Sequence, residues 1–273
     1  DIFGSTAFKD GVASLYEDIR PEQVIPTHGA IGANNMVIMS LIEPGDNMIS
    51  VMPTYQQHYS IPASIGAEVR IHQLTYENKF LPDIEKLAGQ VDEKTKMITI
   101  NNPDNPTGSW IPMETMKEIV KIAESVGAYV LCDEVYRGIS EDGSYMHSIV
   151  DIYDKGISVG SMSKIFSLAG LRMGWIVSPC EEVLEACHIR RDYDTISCGC
   201  LDDMLASIAL NAKEAIFSRN RDILLKNRAI LDKWVKETPG VHYLPPVAGT
   251  TAFVYYDKDI PSYELCIKLM KSK

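Results

Sequence analysis

The chain has 273 residues, 45% of them apolar, enough to bury one large core and part of a second. Its formal charge of −11 argues against a nucleic-acid backbone or an anionic membrane as partner, so any phosphate it holds must be met by local geometry. No apolar run approaches the roughly 18 residues that span a bilayer, no basic signal region opens the chain, and six scattered cysteines suit a reduced cytoplasmic protein. Cys198-Gly199-Cys200 lacks a matching His/Cys pair at finger spacing, and no metal site is expected there.

In chain order, residues 10–18 read as a helix and residues 24–26 as a short strand feeding Thr27-His28-Gly29-Ala30-Ile31-Gly32-Ala33. Residues 34–42 carry helical apolar spacing and stop before Pro44-Gly45-Asp46. Strand, glycine turn and helix form a phosphate-cradling arrangement, because free N–H groups at a helix start point at an anion. Many α/β chains share this pattern. Residues 48–52 predict a strand followed by Tyr55, either a core residue or a flat ring for stacking on a heterocycle. A helix remnant over 61–66 precedes a strand over 68–72.

The apolar strand over 96–100 runs into Asn101-Asn102-Pro103-Asp104-Asn105-Pro106-Thr107-Gly108. Such density of turn formers fits a surface loop, yet two Asn-adjacent prolines make it rigid where α/β proteins place ligands. A helix over 113–126 closes at Gly127, and the strand over 128–132 delivers Asp133-Glu134 and then Tyr136. The apolar strand makes Asp133 half-buried, which demands a positive or proton-donating partner. A strand over 157–161 delivers Ser161-Met162-Ser163-Lys164, with Arg172 eight residues on, and residues 174–177 form another strand. A lysine emerging from the end of a buried strand loses its proton readily and can form a Schiff base with an aldehyde; the alternative is an ordinary loop lysine.

Beyond Pro179 the pattern is helical over 181–190, 201–210 and 214–238, and Pro239-Gly240 ends the last of these. Residues 241–244 and 251–256 read as strands and 262–271 as a helix. The expected architecture is α/β, a three-layer, mostly parallel sheet with helices on both faces, plus the start of a small α+β domain. The large domain is assigned to residues 1–213, and a linker helix with a partial C-terminal domain to 214–273. Both ends read as lying inside elements, so the chain is expected to be clipped at each.

The order of these strand ends resembles the fold-type I pyridoxal-phosphate enzymes, specifically the class I/II aminotransferases related to aspartate aminotransferase. Two stretches are specific: Asn102-Pro103-Asp104-Asn105-Pro106-Thr107-Gly108 is similar to the family's N-P-x-N-P-T-G, and Ser161-Met162-Ser163-Lys164 with Arg172 to its S-x-S-K and following arginine. The resemblance implies that Lys164 holds the cofactor aldehyde as an internal aldimine and then carries the proton between substrate and cofactor. It implies that Asp133 pairs with the pyridine nitrogen, that Asn105 and Tyr136 hydrogen-bond the ring oxygen, and that Tyr55 stacks on the ring. The phosphate would meet the turn at Gly29, the amides of Ala30 and Ile31, the hydroxyls of Ser161 and Ser163, and Arg172.

The same resemblance implies a homodimer acting on an amino acid and a 2-oxo acid. Many relatives have a polar side chain where this chain has Ala30-Ile31, the segment that usually covers the substrate is not found, and the substrate-carboxylate arginine is expected beyond Lys273. A β-eliminating lyase or cyclising enzyme would share every residue named. A cofactor-sensing domain of a transcription regulator, or an α/β domain holding another phosphate ligand, completes the alternatives.

Overall fold

The computed structural model describes residues 2–272. Seven strands form the main sheet: β1 (Val24–Thr27), β2 (Asn47–Met52), β3 (Glu68–Gln73), β4 (Thr95–Asn101), β5 (Tyr129–Asp133), β6 (Gly156–Ser161) and β7 (Gly174–Val177). Their order is β1-β7-β6-β5-β4-β2-β3, and only β7 runs against its neighbours. The sheet is therefore mostly parallel, as expected. Because β7 is antiparallel, its beginning lies at the same edge as the carboxyl ends of the other strands.

Period-two alternation distributes the strand residues between two cores. Ile98, Ile100, Val130, Cys132, Trp175 and Val177 face one side; Met97, Tyr129, Leu131, Ile157, Val159 and Ile176 face the other. On the first side pack α1 (Thr6–Ala13), α5 (Met113–Val126) and α7 (Cys200–Asn211) through residues such as Phe8, Ile119 and Leu210. On the second pack α2 (Gly29–Leu41), α3 (Gln57–Ile65) and α6 (Glu181–Asp194), led by Val37, Ile38 and Val183. Both sheet faces are thus covered, which is why its strands read as continuous apolar runs.

Several boundaries differ from the sequence reading. The first helix starts at Thr6 and ends at Ala13, because the Ser5 hydroxyl caps it by accepting from Phe8 N at 3.1 Å and itself donates to Asp203. α2 begins at Gly29 rather than after the glycines, so the turn residues are its first turn. α3 starts four residues before the expected remnant, and a short α4 (Ile84–Ala88), capped by Asp83, was not anticipated.

After α7, the 25-residue α8 (Lys213–Glu237) leads to a separate hairpin of β8 (Val241–Tyr243) and β9 (Val254–Tyr256), then α9 (Ser262–Lys271). β9 starts three residues late because the preceding stretch is tied to the large sheet's loops. Val247 N donates to Gly108 O at 3.0 Å and Gly249 N to Ile139 O at 2.9 Å. No described helix is long and apolar enough to cross a membrane, and all six cysteines are free thiols.

Candidate active site

At the shared edge of the sheet, the ends of β1, β2, β4, β5 and β6 and the start of β7 bound a cavity of about 240 Å³. Ala30, Ile31, Tyr55, Asn105, Asp133, Tyr136, Ser161, Ser163, Lys164 and Arg172 all line it. Gly29 lies just behind, against the Arg172 guanidinium. Topology assembles these residues because parallel strands end together, so side chains far apart in sequence converge.

Asp133, the last residue of β5, is 4% exposed. Its Oδ2 accepts from Asn34 Nδ2 at 2.9 Å and its Oδ1 from Val135 N at 3.2 Å. Burial raises its proton affinity, while those two donors and the Lys164 charge lower it again. His58 Nε2 lies 3.9 Å from the same Oδ2 without a hydrogen-bond partner, and burial lowers the imidazole pKa to about 4, so the ring is neutral.

The Asn105 loop is fastened to the same strand end. Asn101 lies opposite Asp133 in the β4–β5 register; its Nδ2 donates to Asp133 O at 2.7 Å and its Oδ1 accepts from Asn105 N at 2.8 Å. Within the loop, Asp104 Oδ2 accepts from the Thr107 hydroxyl at 2.6 Å and Thr107 N at 3.2 Å. Asn102 Oδ1 accepts from Ile111 N at 2.9 Å. Tyr136 is 3% exposed, and burial with the nearby Asp133 and Asp104 charges pushes its hydroxyl up to about 12. It remains a proton donor throughout the neutral range.

Lys164 is exposed to the cavity rather than packed, with Nζ 5.9 Å from the Tyr136 ring centre. Tyr55 is 42% exposed, which decides against the core alternative and leaves its ring at the cavity wall. At the opposite end, α2 presents its N-terminus, whose first amides have no partner within the helix. Gly174 pairs with both Thr27 and Ser161. A Cβ there would stand 2.5 Å from the Gly29 carbonyl carbon and 2.8 Å from Ala30 N, so only glycine lets β7 and the helix start meet. Arg172 holds a left-handed φ of 52°, and its Nη1 donates to Ala169 O at 2.8 Å.

Sequence reasoning missed Asn34, His58 and Asn101. Asn34 opens the predicted helix as a polar residue three and four places before the buried Val37 and Ile38, whereas His58 falls between Tyr55 and the expected helix remnant, in a stretch assigned to no element, and is buried because α3 starts at Gln57. For Asn34 that misplaced polarity was the available signal. Glu134, beside Asp133, turns away from the cavity. It pairs with buried Arg137 at 3.0 Å and accepts from Ser148 and Ser158.

A second cavity, about 570 Å³, borders Arg137, whose buried guanidinium is held by Glu134, Leu15 O and Met146 O and lies over the rings of Tyr16 and Tyr145.

The family profile for aminotransferase class I and II matches residues 1–272. An aspartate aminotransferase of Pyrococcus horikoshii is 31% identical over 92% of this chain and 66% of its own length. A capreomycidine synthase of Streptomyces vinaceus is 28% identical over 94% of this chain and 67% of its own. The crystal structure of a PLP-dependent aminotransferase from Streptococcus suis superposes with a TM-score of 0.95 and 48% identity, covering 99% of this chain and 72% of that one. The chain thus spans about two thirds of the length of the curated relatives it matches.

Proposed function

Because this chain belongs to the class I and II aminotransferases, a family that works with pyridoxal phosphate, we propose that it moves an amino group between an L-amino acid and a 2-oxo acid. The observation that carries the reading is one cavity bounded by an amine, a buried carboxylate, a protonated phenol and a helix N-terminus with an arginine. These residues fit the cofactor. The glycines at 29 and 174 leave the α2 N-terminus open to a phosphate, and the buried Asn34 Oδ1 and His58 Nε2 lack partners at the Asp133 end.

Pyridoxal phosphate, when bound, supplies an aldehyde that condenses with amines and a ring that takes up electron density as the α-proton leaves. Asp133 holds a proton on the ring nitrogen, its charge balanced there. Asn105 and Tyr136 donate to the ring oxygen, each contributing on the order of 1 to 3 kcal/mol if that oxygen is charged. Tyr55 covers one ring face. The Ala30 and Ile31 amides, the Ser161 and Ser163 hydroxyls and Arg172 hold the phosphate, the guanidinium matching a dianion in bidentate fashion. Lys164 would hold the cofactor through Nζ, and the same amine, when free, would take up and return the substrate α-proton.

We read the chain as half of a homodimer. Leu201, Met204, Leu205 and Ile208 form an i, i+3, i+4, i+7 stripe along α7 that is exposed in the single chain. A second reading keeps the site and changes the product, to elimination or cyclisation; it draws on the relative named as a capreomycidine synthase.

The test is borohydride reduction of the holoenzyme followed by peptide mapping, with single-turnover product analysis. Cofactor fixed on Lys164, with amino-acid substrate leaving the cofactor in its amine form and an oxo acid in solution, supports transamination. Cofactor found elsewhere sinks the site assignment. Ammonia and pyruvate released from cysteine or cystathionine without an acceptor would establish elimination instead.

A further inference from the structure

Resting on the assignment of Asp133 to the cofactor's ring nitrogen, we propose that Asn34 is a positioning residue whose carboxamide fixes the orientation and charge of Asp133. Asn34 is fully buried in α2, between the buried Ala33 and Met36 and below Val37 and Ile38. An apolar side chain would suit this place better, because its amide leaves Oδ1 buried without a hydrogen bond. Asn34 borders the cavity, and its Nδ2 donates to Asp133 Oδ2 at 2.9 Å. Only the N–H₂ end can face a carboxylate, so the pairing sets the amide's orientation as well.

Among the described residues Asn34 is the one side chain that hydrogen-bonds the Asp133 carboxylate directly; Asn101 donates to the backbone carbonyl instead, and the other donor to the carboxylate is Val135 N. The groups facing this carboxylate are His58 from α3, Lys164 from the loop after β6, and Cys132 and Tyr136 from its own segment. His58 is neutral, and 3.9 Å is too long for a direct hydrogen bond. Cys132 is buried and keeps its proton. Asn34 therefore supplies the directed donor that favours the ionised form against burial, leaving one oxygen oriented and both with a lone pair to spare for a ring N–H.

The test compares the full chain with Asn34→Leu and Asn34→Asp by two measurements. The first is the affinity of the apo-protein for pyridoxal phosphate and for its 1-deaza analogue, which lacks the ring nitrogen. Asn34→Leu is expected to bind pyridoxal phosphate roughly tenfold more weakly, the scale of one hydrogen bond to a charged group, and to bind the analogue as the parent does. Equal weakening of both ligands would reduce Asn34 to a packing residue and overturn the proposal.

The second is the apo-protein's thermal midpoint between about pH 5 and about pH 8, which needs no cofactor. Loss of the donor raises the proton affinity of Asp133 further, so the variant's deficit relative to parent should widen as pH rises. A deficit that does not change with pH also overturns it. Should Asn34→Leu not fold, the isosteric Asn34→Asp sets a second carboxyl against the first and should show the same widening; parent-like behaviour at every pH refutes the proposal. Failure of the parent to attach pyridoxal phosphate at Lys164 would sink the functional reading while leaving the apo pH dependence intact.

Discussion

Asp104 stands directly before Asn105, with its carboxyl 5% exposed and both hydrogen bonds from Thr107 directed at Oδ2. Those bonds lower its pKa, but burial is the larger effect and raises it to about 6. A carboxyl whose folded pKa lies above its unfolded value binds protons more tightly when folded. Its contribution to stability is full below about pH 4 and is lost as pH rises through about 6. Asp104→Asn removes that titration and can keep the amide interactions of the loop. Urea unfolding should show parent and variant alike near pH 4, with the variant more stable at pH 8 by at most roughly 3 kcal/mol, the equivalent of about two pKa units. The turn formers around Asp104 were legible as a rigid loop. Burial of its carboxyl was not, because it depends on residues distant in sequence, such as Thr251, whose hydroxyl donates to Asp104 O at 3.5 Å.

The start of α2 shows how one element depends on another's smallest residue. Gly29, at a φ of +68°, opens the helix beside the Arg172 guanidinium, and Gly174 on β7 presses against the same backbone. Gly174→Ala would place a methyl group 2.5 Å from backbone carbon, where no side chain can swing away. Shifting the strand or the helix start should cost about 1–3 kcal/mol. Calorimetry should show the lower midpoint, and inorganic phosphate should raise that midpoint less than in the parent because the amides of Ala30 and Ile31 no longer meet Arg172 at the same distance. The sequence marked this stretch as strand, glycine turn and helix, yet drew the helix from Asn34 because glycines read as turn formers. Burial of the helix against β6 and β7 overrides that local preference.

For the whole molecule, the exposed stripe on α7 follows further exposed apolar residues in the sequence, Ile189, Tyr193 and Ile196. A second copy covering this face would remove it from water. Leu205→Glu should then halve the mass found by sedimentation at micromolar concentration, with an unchanged far-ultraviolet spectrum because Leu205 is 45% exposed and makes little of the monomer's core. A parent that sediments as a monomer would remove the stripe as an interface.

By itself the sequence determined the alternation of strands and helices, and with it the line of strand ends that carries Tyr55, Asn105, Asp133, Lys164 and Arg172. Apolar periodicity and turn residues are local properties, and a parallel sheet brings its carboxyl ends to one edge whatever fills the loops. Only the tertiary structure decided that β7 runs antiparallel and so brings Arg172 to that edge from the front of a strand. It also decided that Glu134 turns inward to Arg137 while its neighbour Asp133 faces the cavity, and that Asn34 and Asn101, spoken for by no motif, hold Asp133 in place. Alternation along a strand predicts that neighbours part company, but which of them meets a donor depends on residues brought from elsewhere in the chain.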